Sequence, residues 1–183
     1  AKARIFENQK KDDFAIINFS LSDWSTRFSR LIRSQLVPVA RDKKLNEGFY
    51  ILGDKVFQER KELFSLSHFS LLGKHQRENL LIAISIALLL GVKEQAVEEA
   101  ISSLSSLPHR LEKIGSWEGI DYFNDSKSTT PSSTKVAIES LSCPIVLILG
   151  GRTKIDDLSE LSSALRSGKV KAVVIYGESR NLI

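Results

Sequence analysis

The chain is 183 residues long, enough for one large domain or two small ones with a buried core. Hydrophobic residues make up 42% and charged residues 26%, a balance that excludes extensive disorder. A charge of +4, from 26 basic and 22 acidic residues, is too mild for a nucleic-acid-coating protein and suits anionic small ligands. The single cysteine, Cys143, excludes a disulfide framework and a Cys-based zinc cluster, and fits a reducing compartment. No methionine occurs, which predicts an internal piece of a longer chain. Residues 1–11 are polar and helix-like, unlike a signal peptide. The apolar run Leu80 to Leu90 is too short to span a membrane and reads as a buried helix. The expectation is a soluble, cytoplasmic, monomeric chain with neither nucleic acid nor membrane as partner.

Phe14 to Asn18 reads as a strand, followed by helical spacing over Ser22 to Arg33 with Trp24, Phe28, Leu31 and Ile32 on one side. Arg27, Arg30 and Arg33 form a basic stripe there, which reads as a solvated face before it reads as a phosphate site. Gln35 to Val39 and Phe49 to Leu52 are further strands, and Gly53-Asp54 is a hairpin turn. From Gly73 to Gly91 the pattern is helical, with the glycine as a C-terminal stop. A second helix runs from about Lys93 to Leu104, and Pro108 closes the region.

Beyond a boundary placed near Leu107 the pattern changes. Gly119 to Asn124 reads as a strand, Ser132 to Leu141 as a helix and Pro144 to Leu149 as a strand. Leu158 to Leu165 is a helix and Val170 to Tyr176 a strand. This βαβαβ order with apolar strands predicts an α/β fold, its parallel sheet covered on both faces and the second domain incomplete.

Ligands of open parallel sheets bind beyond the carboxyl ends of the strands. Two polar clusters lie at such ends. Asn124-Asp-Ser-Lys-Ser-Thr-Thr130 sets a carboxylate, an ammonium and hydroxyls before a helix start, where free N–H groups favour anions. Plain helix capping, with Pro131 in the first turn, is the equal alternative. Gly150-Gly-Arg-Thr-Lys154 combines glycines that allow close backbone approach with a cation, but lacks P-loop spacing. His75 and Asn79 share one face of the helix after Gly73. Arg110 stands at the domain joint, from which it could reach across a cleft.

The order of these elements is more specific than any one of them. Leu107-Pro-His-Arg-Leu-Glu112, Asn124-Asp-Ser-Lys-Ser-Thr129 and Gly150-Gly-Arg-Thr-Lys154 resemble the Mur ligase patterns L-P-H-R-x-E, N-D-S-K-A-T-N and G-G-x-D-K-G. Gly73-x-His75-Gln76-x-x-Asn79 is similar to the family's G-x-H-N-x-x-N, and Ala1-Lys-Ala-Arg-Ile5 to the segment carrying its modified lysine. The departures are Gln76, as in folylpolyglutamate synthetases, and Thr130, Thr153 and Ile155.

The resemblance implies the end of a central ATPase domain over residues 1–107. A partial Rossmann-like, amino-acid-binding domain follows over 108–183. It also implies an ATP- and Mg²⁺-dependent ligase that joins D-glutamate to UDP-N-acetylmuramoyl-L-alanine through an acyl phosphate. Carried over residue by residue, Asn79 contacts adenine, and Arg110 and Asp125 hold the ribose and phosphates. Lys127, Thr129 and Lys154 face the D-glutamate carboxylates, with Lys127 also catalytic. Lys2 is the other catalytic residue and holds Mg²⁺ when carbamylated, and His75 and Ser126 are supporting. The alternatives are a noncatalytic Rossmann-like nucleotide-binding or interaction module and, more weakly, a nucleic-acid binder using Arg27, Arg30, Arg33, Lys43 and Lys44.

Overall fold

The computed structural model describes residues 2–20, 27–152 and 157–181, with the backbone alone at Lys2 and Ser179. The contacts between residues divide the chain into two units. One runs up to Leu71 and includes His75–Leu104, while the other joins Leu72–Lys74 to the residues from Ser105 onward.

The first unit opens with a 3-10 helix, Lys2–Phe6. Its sheet contains β1 (Phe14–Asn18), β2 (Gln35–Arg41), β3 (Phe49–Leu52), β4 (Lys55–Gln58) and β5 (Lys61–Ser65), in that spatial order. β1–β2 and β2–β3 are parallel, whereas β3–β4 and β4–β5 are antiparallel. Leu52 pairs with Lys55 across the expected two-residue turn, with Gly53 at φ +57° as such hairpins require. Residues 27–29 are helical, and positions 21–26 of the expected helix, Trp24 among them, lie outside the described residues.

Two helices, α1 (Lys74–Leu89) and α2 (Glu94–Ser102), cover one sheet face. Leu80, Leu81 and Ile84 of α1 meet Val39, Phe49 and Ile51, removing apolar surface from water. Buried Ser85 is satisfied because its hydroxyl donates to the Leu81 carbonyl at 2.7 Å. Arg77 ties α1 to the hairpin, donating to Gly53 O at 2.8 Å and Asp54 Oδ1 at 2.5 Å.

The second unit contains β6 (Glu112–Trp117), β7 (Ile120–Asn124), α3 (Pro131–Ser140), β8 (Ile145–Gly150), α4 (Ser159–Leu165) and β9 (Val170–Tyr176). A 3-10 turn, Glu178–Asn181, follows. The expected βαβαβ sheet is corrected here. β7 pairs antiparallel with β6, a strand the sequence reading omitted, and only β8 and β9 are parallel. β6 escapes periodicity because five of its six residues are exposed, leaving no apolar alternation to detect. Glu118 and Gly119, at φ +49° and +78°, form the two-residue turn that closes the hairpin. Among the described residues Ile138, Ile145 and Ala164 form a core on one side of the β8–β9 pair, while Val146 and Ile148 are 66% and 67% exposed. Among the described residues no helix is long and apolar enough to cross a membrane.

The ends of α3 show how its polar backbone groups are satisfied. At its start the Thr130 hydroxyl accepts from Ser133 N at 3.2 Å, and Ser133 Oγ accepts from Thr130 N at 3.1 Å. At its end Lys169 Nζ donates to the carbonyls of Glu139 at 3.1 Å and Leu141 at 2.7 Å. Lys169→Met should therefore destabilise the second unit by about 1–2 kcal/mol. Amide hydrogen exchange in α3 measures this, and unchanged protection would contradict the cap.

Candidate functional site

The β6–β7 register sets Glu112 opposite Asn124, so the residues preceding β6 lie beside those following β7. Leu111 N donates to Asp125 Oδ1 at 2.9 Å, and Lys127 N donates to His109 O at 3.1 Å. Asn124 Nδ2 and His109 Nδ1 are 2.8 Å apart, and His109 N donates to Glu112 Oε2 at 2.8 Å. Asp125 Oδ2 accepts from Ser128 Oγ at 2.5 Å, and Asn124 Oδ1 accepts from Ser126 N at 3.1 Å. His109 and Leu111 adopt φ of +65° and +46°, left-handed values that non-glycine residues hold only when neighbours enforce them.

Arg110, expected at the domain joint, lies within the second unit beside Asp125. Both residues lie in the second unit, tied through the Leu111 backbone, because an antiparallel hairpin returns its second strand to the start of the first. Three of the sequence-selected groups then stand on these two bonded segments. Arg110, Lys127 and Thr129 are exposed, and their side chains make no hydrogen bond or ion pair among the described residues. Two cations and a hydroxyl beside the N-terminus of a ten-residue helix form a surface suited to phosphate or carboxylate. Ser126 is exposed on the same loop.

Thr130, Pro131 and Ser132 at the start of α3 line a shallow cavity of about 260 Å³ with Asp157 and Glu160. The backbone N–H of Ser159, and then its hydroxyl, hold the Asp157 carboxyl below the usual carboxylate range. Lys154 lies outside the described residues, as do Thr153 and Ile155. A Cβ on Gly150 would sit 2.4 Å from the Tyr176 carbonyl oxygen and 2.6 Å from its ring, so Gly150 makes room for β9. A Cβ on Gly151, at φ +114°, would meet nothing within 4 Å.

In the first unit His75 and Asn79 lie on α1, Asn79 exposed and His75 half-buried. His75 Nδ1 is buried without a hydrogen-bond partner, the unsatisfied polar group a ligand contact would relieve. The Lys2 side chain lies outside the described residues. Among the described residues no three His, Cys, Asp or Glu side chains gather to hold a metal ion. The bond from His109 N to Glu112 emerges only once β6 is known, although the three-residue spacing of the two is visible in the sequence.

Residues 109–182 match the family model described as Mur ligase, glutamate ligase domain. Residues 109–182 thus carry the glutamate ligase domain of the Mur ligases. Along its length it is similar to UDP-N-acetylmuramoylalanine--D-glutamate ligases. It is 36% identical over 186 residues to that of Syntrophus aciditrophicus (strain SB), with 100% of this chain and 41% of the relative covered. It is 35% identical over 183 residues to that of Shouchella clausii (strain KSM-K16), with 99% and 40% covered. The chain therefore spans about 40% of the length of these relatives. The MurF ligase of Thermotoga maritima in complex with ADP shares the fold. Its TM-score is 0.61 at 14% identity, with 99% of this chain and 53% of that chain covered.

The glycine contacts carry their own test. Gly150→Ala should destabilise the β8–β9 pair by about 1–3 kcal/mol through its clash with backbone. Gly115→Ala, whose methyl would meet nothing within 4 Å, is the matched control. Urea midpoints of the two variants decide it, and equal midpoints would remove the packing role.

Proposed function

We propose that the chain is the ATP- and amino-acid-handling part of a ligase of peptidoglycan precursor synthesis, which adds D-glutamate to UDP-N-acetylmuramoyl-L-alanine. Residues 1–107 form the end of its central ATP-binding domain, and residues 108–183 begin its C-terminal amino-acid-binding domain. The whole protein acts in the cytoplasm as a monomer. The observation that supports this most is the pair of bonded segments bearing Arg110, Lys127 and Thr129, whose side chains have no partner among the described residues. The similarity to D-glutamate ligases along the chain supports the choice of substrate. ADP in the related MurF complex supports the choice of nucleotide.

In the proposed reaction a substrate carboxylate oxygen attacks the γ-phosphorus of ATP, and the bond to the departing ADP oxygen breaks. The D-glutamate amine then attacks the resulting acyl carbon, phosphate leaves, and the nitrogen loses a proton. Such transfers need anionic reactants held in line and their charge offset by fixed cations. Arg110 supplies one to the phosphates, while Asp125 anchors the Arg110 segment and faces the ribose. Asn79 reads adenine, and the half-buried His75 supports the same helix face. Lys127 offsets charge at the reacting carboxyl group, with Ser126 supporting its loop. Thr129 and Lys154 receive the D-glutamate carboxylates. Mg²⁺ belongs to the proposal through a carbamylated Lys2, since a hard cation takes oxygen ligands. Among the described residues no cluster of His, Cys, Asp or Glu side chains completes its site.

In the full-length protein, D-glutamate-dependent phosphate release from ATP tests the reading. Arg110→Ala should lower kcat/KM for ATP about 10- to 100-fold, through the loss of a charge-assisted bond. Phosphate release that ignores D-glutamate would favour the noncatalytic nucleotide-binding module instead. Separately, Lys154→Ala should raise KM for D-glutamate about tenfold while leaving KM for ATP near its starting value. A parallel rise in both constants would contradict an amino-acid role for Lys154.

A further inference from the structure

We infer that Glu112 is a positioning residue, whose carboxylate fixes the backbone from which Arg110 reaches its anion. The inference rests on the proposed role of Arg110 and adds a residue to the same site. Arg110 has no side-chain partner among the described residues, so its direction comes from its backbone alone. That backbone is unusual, because the residues on both sides of Arg110 are left-handed, at φ +65° and +46°. Neither is glycine, and each such conformation carries a steric penalty.

Three consecutive N–H groups hold the loop. His109 N donates to Glu112 Oε2 at 2.8 Å, Arg110 N to Leu107 O at 3.1 Å, and Leu111 N to Asp125 Oδ1 at 2.9 Å. The His109 carbonyl accepts from Lys127 N, and its ring meets Asn124 at 2.8 Å. Glu112 is thus the acceptor that secures the first left-handed residue, and it is half-buried at the start of β6. Without it, His109 N turns to water in an exposed loop, and the left-handed conformation loses its enforcing bond. Glu112 makes no ion pair with Arg110 among the described residues, so its effect depends on where an acceptor oxygen sits. Glutamine keeps that oxygen, whereas aspartate withdraws it by one methylene while keeping the charge.

The experiment uses steady-state kinetics of the full-length protein with ATP and D-glutamate varied in turn. Glu112→Ala should lower kcat/KM for ATP about tenfold, the scale of one lost charge-assisted bond, with KM for D-glutamate unchanged. Glu112→Asp should show the same loss, and it serves where alanine disturbs folding. Glu112→Gln should recover to within about twofold of the parent, since a neutral acceptor still receives the bond. In an Arg110→Ala background the Glu112 substitutions should have no further effect on ATP, because the group they position is gone. A loss of equal size in that background, or full activity of Glu112→Asp, would overturn the positioning role. Full activity of Arg110→Ala itself would instead overturn the reading of Arg110, and the inference with it.

Discussion

The antiparallel register of β6 and β7 is the constraint on which the site depends. Facing residues in such a pair lie about 5 Å apart, so pairing Trp117 with Ile120 also brings Glu112 beside Asn124. The loop entering the hairpin must then run against the loop leaving it. Three bonds among residues 109–111 and 124–128 use this proximity: Leu111 N to Asp125, Lys127 N to the His109 carbonyl, and the Asn124 side chain to the His109 ring. The pairing starts from two left-handed residues, Glu118 and Gly119, far from any chemistry. Lys113 and Asp121 reinforce it, with an ion pair at 2.7 Å and an Asp121 carboxyl below its usual range.

The chain treats its cations in two ways. Arg41 is bound at 3.1 Å to Glu78, which also accepts from Asn18, and Arg77 is bound to the β3–β4 turn. Lys169 is occupied by the end of α3. These cations hold the fold. Around Arg110 and Lys127 the carboxylates of Glu112 and Asp125 accept from backbone N–H groups and a serine hydroxyl instead. Among the described residues neither carboxylate forms an ion pair with Arg110 or Lys127, and their bonds fix the geometry of the loops.

Sequence patterns determined much of this protein by themselves. Apolar periodicity located β1, β2, β3, both helices of the first unit, and α3, β8 and α4, which bury part of their surface, and an apolar run located β9 although five of its seven residues are exposed. The run Thr130-Pro131-Ser132-Ser133 announced a helix start through local hydrogen-bonding chemistry, and motif order announced the family. β4 was implied only by the turn before it, and β5 and β6 were not read: Val56 and Phe64 are single buried residues on short charged strands, and five of the six β6 residues are exposed. Only the tertiary structure decided that β7 pairs backward with β6, that Arg110 neighbours Asp125, and that Gly150 makes room for Tyr176. It also decided that Lys169 caps a helix 28 residues before it. Each is a contact between residues distant along the chain, and periodicity reports which side of an element is buried, not which segment lies against it.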